Sequence, residues 1–483
     1  MSQENQHSRP PGQGRPQGRS ADTGSPRISR VDASVASPVK FFFASALLWL
    51  LVSSVLAVIT AVKLHLPGFL NCCEYLTFGR LDAIQRNVFF YGWASNALIG
   101  LNLWLLASLG RFEFRNGWIA TLGGLIWNLA LTVGIASVLL DSQNAFELLE
   151  LPRGVALAFF VAFLLAALWP AVAFVRRPTG QVFVSQWYIL GASFVLPVVY
   201  LLTQLMVLWC PTNGVLQALV HSWFLQNFLL LWLGASALAA VYYFLPKELE
   251  TTLTGYYLST VGFWTLFLFA GWTGPATLLG SPVPLWIQSS GVVAAVMLLI
   301  PLTITSINFF GTLSRDSGWT RAWNNTTLRF VAFGLVAYTL AIALQIVFSA
   351  RSLNALVRFT SFAAGQQQLL TYAFVSMVIF GAAYYILPRL TGAFWPSAKL
   401  VHLHFWSCAL AVVGSVAGSL FFGWTQGAAL AAAKPFAQTM HPQEALLSSA
   451  CAVLFLIGHV AFALNAFGML TTCSSSTEEA RQA

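Results

Sequence analysis

From Phe41 onward the chain consists almost entirely of apolar runs about 20 residues long or longer, joined by short polar connections. A hydrocarbon core about 30 Å thick needs roughly that many residues per helix, so each run is long enough to cross a bilayer. Twelve such runs lie near residues 41–62, 85–109, 117–140, 154–175, 185–209, 215–245, 253–273, 286–312, 327–349, 365–388, 401–424 and 445–471. None alternates with period two, which excludes a transmembrane β-barrel. At 58% hydrophobic and 8% charged, the chain holds more apolar surface than one soluble core can hide. The expectation is an all-α polytopic membrane protein with twelve transmembrane helices, occupying residues 39–472.

Residues 1–38 are rich in Pro, Gly, Ser, Gln and Arg. They bury too little apolar surface to offset chain entropy and are predicted to form a disordered, protease-sensitive tail. A second short tail is expected at 473–483. The first apolar run is too long for the core of a cleaved signal peptide and reads as a retained helix. An even number of spans places both tails on one side, and seventeen of the 24 Lys and Arg residues fall on that side. The positive-inside rule then puts both termini in the cytoplasm. The same distribution makes the net charge of +9 a topology signal, with no nucleic-acid partner implied. The six cysteines are scattered, so neither a disulfide framework nor a zinc site is indicated.

No P-loop, Rossmann glycine pattern, Cys-x-x-Cys pair or His-Glu-x-x-His motif occurs. Helix interiors hold almost no Asp or Glu, which argues against ordinary proton- or sodium-coupled transport. They are instead rich in amides: Asn87, Asn96, Asn102, Asn128, Gln204, Gln226, Asn227, Asn308, Gln345, and the run Gln366, Gln367, Gln368 that opens the tenth helix. Amides at that density need partners, an interface or a cavity. His402 and His404 project about 200° apart on a helix and cannot chelate one metal. The Tyr-Tyr-x-Leu-Pro-basic ending at Tyr242–Lys247 is echoed at Tyr384–Arg389. Both convergent boundary chemistry and an internal repeat account for that echo.

Taken together, several stretches resemble one family. Gln226-Asn227 through Lys247, followed by Leu258 to Trp264 and Gly274-Pro275, is similar to helices 6 and 7 of the catalytic subunit I of cbb-type cytochrome c oxidase. That family belongs to the haem–copper oxidase superfamily, with nitric oxide reductase as a relative. Gly79-Arg80-Leu81 with Asn87 and Gly92 resembles its helix 2, Ile307 to Leu313 its helix 8, Gly381 to Leu390 its helix 10, and Lys399 to Trp406 its helix 11. The resemblance covers nearly all of the helical region and implies the family's bundle.

The resemblance also implies where haem b and copper would be held, and each of those positions is changed. The low-spin haem's two histidines fall on Gln85 and Gln368, and the high-spin haem's on Gln366. The copper histidines fall on Gln226, Ala276 and Thr277, and the catalytic tyrosine on Ala270. His404 matches a non-ligand position. A neutral amide is a poor ligand for haem iron or copper. The expectation is a cofactor-free, non-catalytic homologue whose old sites are closed by amide hydrogen bonds and filled by Phe and Trp. On that basis even Gln85→His with Gln368→His should bind little haem. Such a chain would be a structural, assembly or partner-binding subunit in a bacterial-type inner membrane, with lipid and other membrane or respiratory subunits as partners. The alternatives are an active haem oxidoreductase with other ligands, and a solute or ion conduit.

Overall fold

The computed structural model describes residues 29–482 except 72, 176, 178 and 179. Among them the chain is helical throughout, without strands. The long elements in chain order are α1 (Arg30–His65), α2 (residues 78–110), α3 (Gly117–Leu139), α4 (residues 153–175), α5 (Val184–Trp209) and α6 (Val215–Leu249). They continue as α7 (Ser259–Ala270), α8 (Leu285–Leu313), α9 (Thr326–Val347), α10 (Ser361–Thr391), α11 (Ala398–Ala431) and α12 (Pro442–Gln482).

Ten of these are long and apolar enough to cross a membrane, against the twelve expected. The two exceptions have different causes. In α2, polar residues such as Asn96 and Asn102 fall within an otherwise spanning length. By contrast α7 is a regular helix for only 12 residues, because the expected span 253–273 begins and ends in tight turns at Tyr256–Leu258 and Gly271–Thr273.

The N-terminal boundary also differs from expectation. Helix α1 starts at Arg30, capped by the Ser29 hydroxyl, which accepts from the Asp32 amide at 3.0 Å. Residues 30–38 therefore belong to the bundle and not to a tail. What makes this possible is a buried partner set: Asp32 accepts from Trp104 Nε1 at 2.9 Å and faces Arg389 at 3.5 Å. The expected tail at 1–28 lies outside the described residues. At the other end, helical backbone runs on to Gln482 instead of ending before 473.

Helices α6 and α10 are the centre of the bundle and are buried on all sides from their π segments onward, so these stretches show no amphipathic stripe. Together with α2, each contains an eight-residue π-helical segment, at Val88–Ser95, Asn227–Gly234 and Leu369–Ser376. The three segments are sewn together by side chains: Trp232 Nε1 donates to Ser95 Oγ at 3.2 Å and Trp93 Nε1 to Ser376 Oγ at 3.0 Å. The two serines in turn donate to Phe90 O and Thr371 O, satisfying carbonyls that the wide turns leave exposed.

Most of the intramembrane asparagines find partners in the same way. Asn102 donates to Ser236 Oγ at 3.0 Å, and Asn227 to Gly271 O at 3.2 Å. Asn128 Oδ1 accepts from Trp49 Nε1 at 2.7 Å and lies against Asn96. Asn308 sits between the Tyr242 and Ser259 hydroxyls at 2.9 and 2.8 Å. Contacts of this kind average roughly 0.6 kcal/mol in a membrane bundle, so they fix register more than they supply stability. Glycine permits the closest approach beside α7: a Cβ on Gly291 of α8 would collide with the Ala276 nitrogen.

Candidate functional site

Among the cavities at the end of the bundle that carries the 66–77, 140–152, 348–360 and 432–441 connections, two receive the glutamine positions. The larger, about 800 Å³, lies between α1, α2, α10, α11 and α12. Gln85 of α2 and Gln368 of α10 both line it. Gln85 Nε2 donates to Ser53 Oγ on α1 at 3.3 Å, whereas the Gln368 carboxamide bonds to nothing among the described residues.

Aromatic side chains occupy only the inner part of this region. Phe89 stacks on Tyr372, whose ring centroid is 4.2 Å from that of Phe455. The Tyr372 hydroxyl meets His459 Nε2 and lies 3.5 Å from Cys408 Sγ, and His459 Nδ1 meets Ser54 Oγ at 2.5 Å. Deeper still, His404 is packed against Phe330, Phe380 and Phe462 and bonded to the Tyr384 hydroxyl at 2.9 Å. His402 turns the other way, to Arg329 at 3.1 Å, as the 200° separation requires. The expectation that Phe and Trp fill the whole space is therefore corrected. The end between Gln85 and Gln368 stays open: Phe78, Phe359 and Phe455 reach its lining, but Thr60, Ala61, Ser415, Gly418 and Ser419 are too small to fill it.

The smaller cavity, about 410 Å³, collects Gln226, Ala276, Thr277 and Gln366 from separate stretches of chain. Gln226 Oε1 accepts from Gln345 Nε2 at 3.3 Å and from Thr273 Oγ1 at 3.4 Å. Gln366 and Gln367 also face this space, and their carboxamides find no protein partner among the described residues. Gln85 and Gln226 thus make the interhelical hydrogen bonds expected of buried amides and Gln366 and Gln368 do not, but neither site is closed, since all four glutamines line open cavities. Ala270 is fully buried in α7 and lines neither cavity.

The charged groups around these openings carry no motif, and by sequence they stand out only as topology markers. Arg358 lines the smaller cavity, and its Nε donates to Thr277 O at 2.9 Å. Burial pushes its guanidinium down from the usual value, with the Glu147 carboxylate opposing. Arg86, at the same cavity, is paired with Asp82 at 2.9 Å and Glu147 at 3.6 Å. Glu150 is buried and accepts from Asn87 Nδ2 at 2.9 Å, and burial pushes its carboxyl up while that hydrogen bond pulls it back. No pattern in the sequence places Glu150 inside, because it sits in a connection and is drawn in by Asn87. The rim of the larger cavity also has two imidazoles, His65 bonded to Ser449 at 3.3 Å and His441 bonded to Thr425 at 3.1 Å.

No cluster of three or more His, Cys, Asp or Glu that could hold a metal ion occurs among the described residues. Gln85 and Gln368 in the larger cavity, and Gln226, Ala276, Thr277 and Gln366 in the smaller, offer neutral amides, a hydroxyl and a methyl. Such a donor set does not fit haem iron or copper.

The family model described as "Cytochrome C and Quinol oxidase polypeptide I" matches residues 37–456. The cytochrome c oxidase subunit 1 homolog of Agrobacterium tumefaciens is 26% identical over 393 residues, covering 78% of this chain and 71% of that protein. The cbb3-type cytochrome c oxidase subunit CcoN1 of Stutzerimonas stutzeri is 26% identical over 403 residues, covering 80% and 83%. Among solved structures, a cryo-EM haem–copper terminal oxidase dimer superposes with a TM-score of 0.70 at 15% identity, covering 92% of this chain and 84% of that one. That likeness shows a shared fold.

Proposed function

The chain belongs to the cytochrome c and quinol oxidase polypeptide I family, and from that premise we propose that it keeps the subunit's scaffold without its haem and copper. It serves as a structural, assembly or partner-binding subunit beside other membrane proteins of a bacterial inner membrane. The observation that carries this reading is the grouping of the altered positions. Gln85 and Gln368 share one cavity and Gln226, Ala276, Thr277 and Gln366 share the other, so both pockets lack the family's imidazoles at the same time. A neutral amide is a poor replacement for an imidazole as a ligand to haem iron or copper. A pyridine haemochrome assay with metal analysis, on protein from a haem-replete host, tests the reading. The expected result is no stoichiometric haem b and no copper, and a full complement of either refutes it.

A second reading, a haem protein with other ligands, is favoured by one observation: His65 and His441 stand at the rim of the 800 Å³ cavity. The same assay on His65→Ala and His441→Ala separates the two, since haem lost with either imidazole would establish the second. The apolar packing of α6 and α10 beyond their π segments gives a conduit no support. Both termini are placed in the cytoplasm by the positive-inside rule. Reporter fusions at residues 20 and 475 should both give the cytoplasmic signal.

A further inference from the structure

The smaller cavity is lined by amides, hydroxyls and two guanidinium groups. At about 410 Å³ it falls in the range of small-molecule sites. Its lining combines the Gln366 and Gln367 carboxamides and Arg358 with the apolar side chains of Leu229, Ile342 and Leu370. Arg358 spends only Nε on the protein, donating to Thr277 O, and no carboxylate lies within ion-pair distance of it among the described residues. The one carboxylate in the lining among the described residues, Glu147, is engaged on Arg86 at 3.6 Å. Asn354, also in the lining, donates to Phe348 O and leaves its buried Oδ1 without a partner.

We propose that this cavity binds a small organic carboxylate, held by the Arg358 guanidinium and the Gln366 and Gln367 amides, with its apolar body against the leucine and isoleucine side chains. A guanidinium fork with two free terminal nitrogens matches a carboxylate's two oxygens, and free amide N–H groups add donors of the right sign. The apolar part of the lining favours an organic anion over a bare inorganic one. This rests on the cofactor-free reading, because haem in the space would exclude the ligand.

The test uses the full chain in detergent, first by pyridine haemochrome and then by calorimetric titration and thermal unfolding with benzoate, and with benzamide as its uncharged counterpart. Benzoate should raise the unfolding midpoint and benzamide should not. Arg358→Gln should weaken benzoate about tenfold or more, as expected for losing a charged hydrogen-bond pair. Gln366→Leu should weaken it less, and Arg351→Gln, outside this cavity, should leave it unchanged. Equal responses to benzoate and benzamide, no response to benzoate, or full benzoate affinity in Arg358→Gln would overturn the proposal. If Arg358→Gln is not recovered folded, the benzamide comparison and Gln366→Leu decide. Stoichiometric haem in the first step removes the cofactor-free reading and this one with it, whereas haem-free protein silent to benzoate removes this inference alone.

Discussion

Replacing Asp32 by alanine tests whether residues 30–38 are part of the folded bundle. Asp32 is 4% exposed and joins three elements: the α1 cap at Ser29, Trp104 on α2 and Arg389 at the end of α10. In Asp32→Ala the fully buried Trp104 N–H loses its acceptor, and an unsatisfied buried donor costs about 1–3 kcal/mol. The Arg389 contact, at 3.5 Å to a half-exposed guanidinium, adds at most about 1 kcal/mol. Loss of the reciprocal Ser29 bond adds about 0.5 kcal/mol. The sum is about 1.5–4.5 kcal/mol, of which Asp32→Asn should recover most because its side-chain oxygen still accepts from Trp104. Reversible unfolding in mixed micelles, followed by Trp fluorescence, measures both variants. A cost below about 0.5 kcal/mol for Asp32→Ala, or equal costs for the two variants, would refute the buried-anchor argument. Removing residues 1–28 should leave the midpoint unchanged, while removing 1–38 should lower it.

The same geometry sets three further outcomes. Burial raises the Glu150 carboxyl, so the folded state takes up its proton more readily than the unfolded chain. Its contribution is therefore fully favourable below the ordinary carboxylate value and is lost as pH rises through the raised one. Glu150→Gln, which keeps an acceptor for Asn87, should gain stability relative to the parent at pH 8 and lose that advantage on acidification, as read by unfolding midpoints against pH. Gly291→Ala should cost about 1–3 kcal/mol by overpacking against Ala276, while Gly154→Ala, with open space around it, should be neutral or stabilising in the same assay. Because about 800 Å³ remains beside Gln85 and Gln368, Gln85→His with Gln368→His should take up haem b that neither single variant holds, measured by haemochrome. Absence of haem in the double variant would show that the inner aromatic packing already excludes it.

Much of the fold is legible in the sequence because apolar run length is a direct physical requirement of a bilayer. The runs that form α3, α9 and α10 can be located to within a few residues. The features that escape a reading of the chain depend on contacts between distant residues. Asp32 reads as part of a polar tail until Trp104 and Arg389 meet it. The region from Tyr256 to Thr273 reads as one apolar run, yet its ends fold into tight turns. The glutamines stand out as unusual in sequence, but which of them bond to a neighbour depends on three-dimensional spacing. Gln226 is within reach of Gln345 and Thr273, whereas Gln366 and Gln367 meet only space. The open cavity at Gln85 is illegible for a similar reason: total aromatic content says nothing about which end of the bundle receives it.

The π-helical segments of α2, α6 and α10 act as phase shifters. Each begins within three residues of a glutamine in the cavities, at Val88, Asn227 and Leu369. One extra residue in a helical turn rotates everything before it by about 100° and moves it about 1.5 Å along the axis relative to the turns after it. The angular position of the cavity-lining residues is thus decoupled from the register of the tightly packed halves beyond. A lineage could lose or gain one residue in these segments and re-aim the pocket without disturbing a buried contact in the far half. Whatever chemistry such pockets once carried or now carry, the scaffold allows it to change while the rest of the membrane bundle stays where it is.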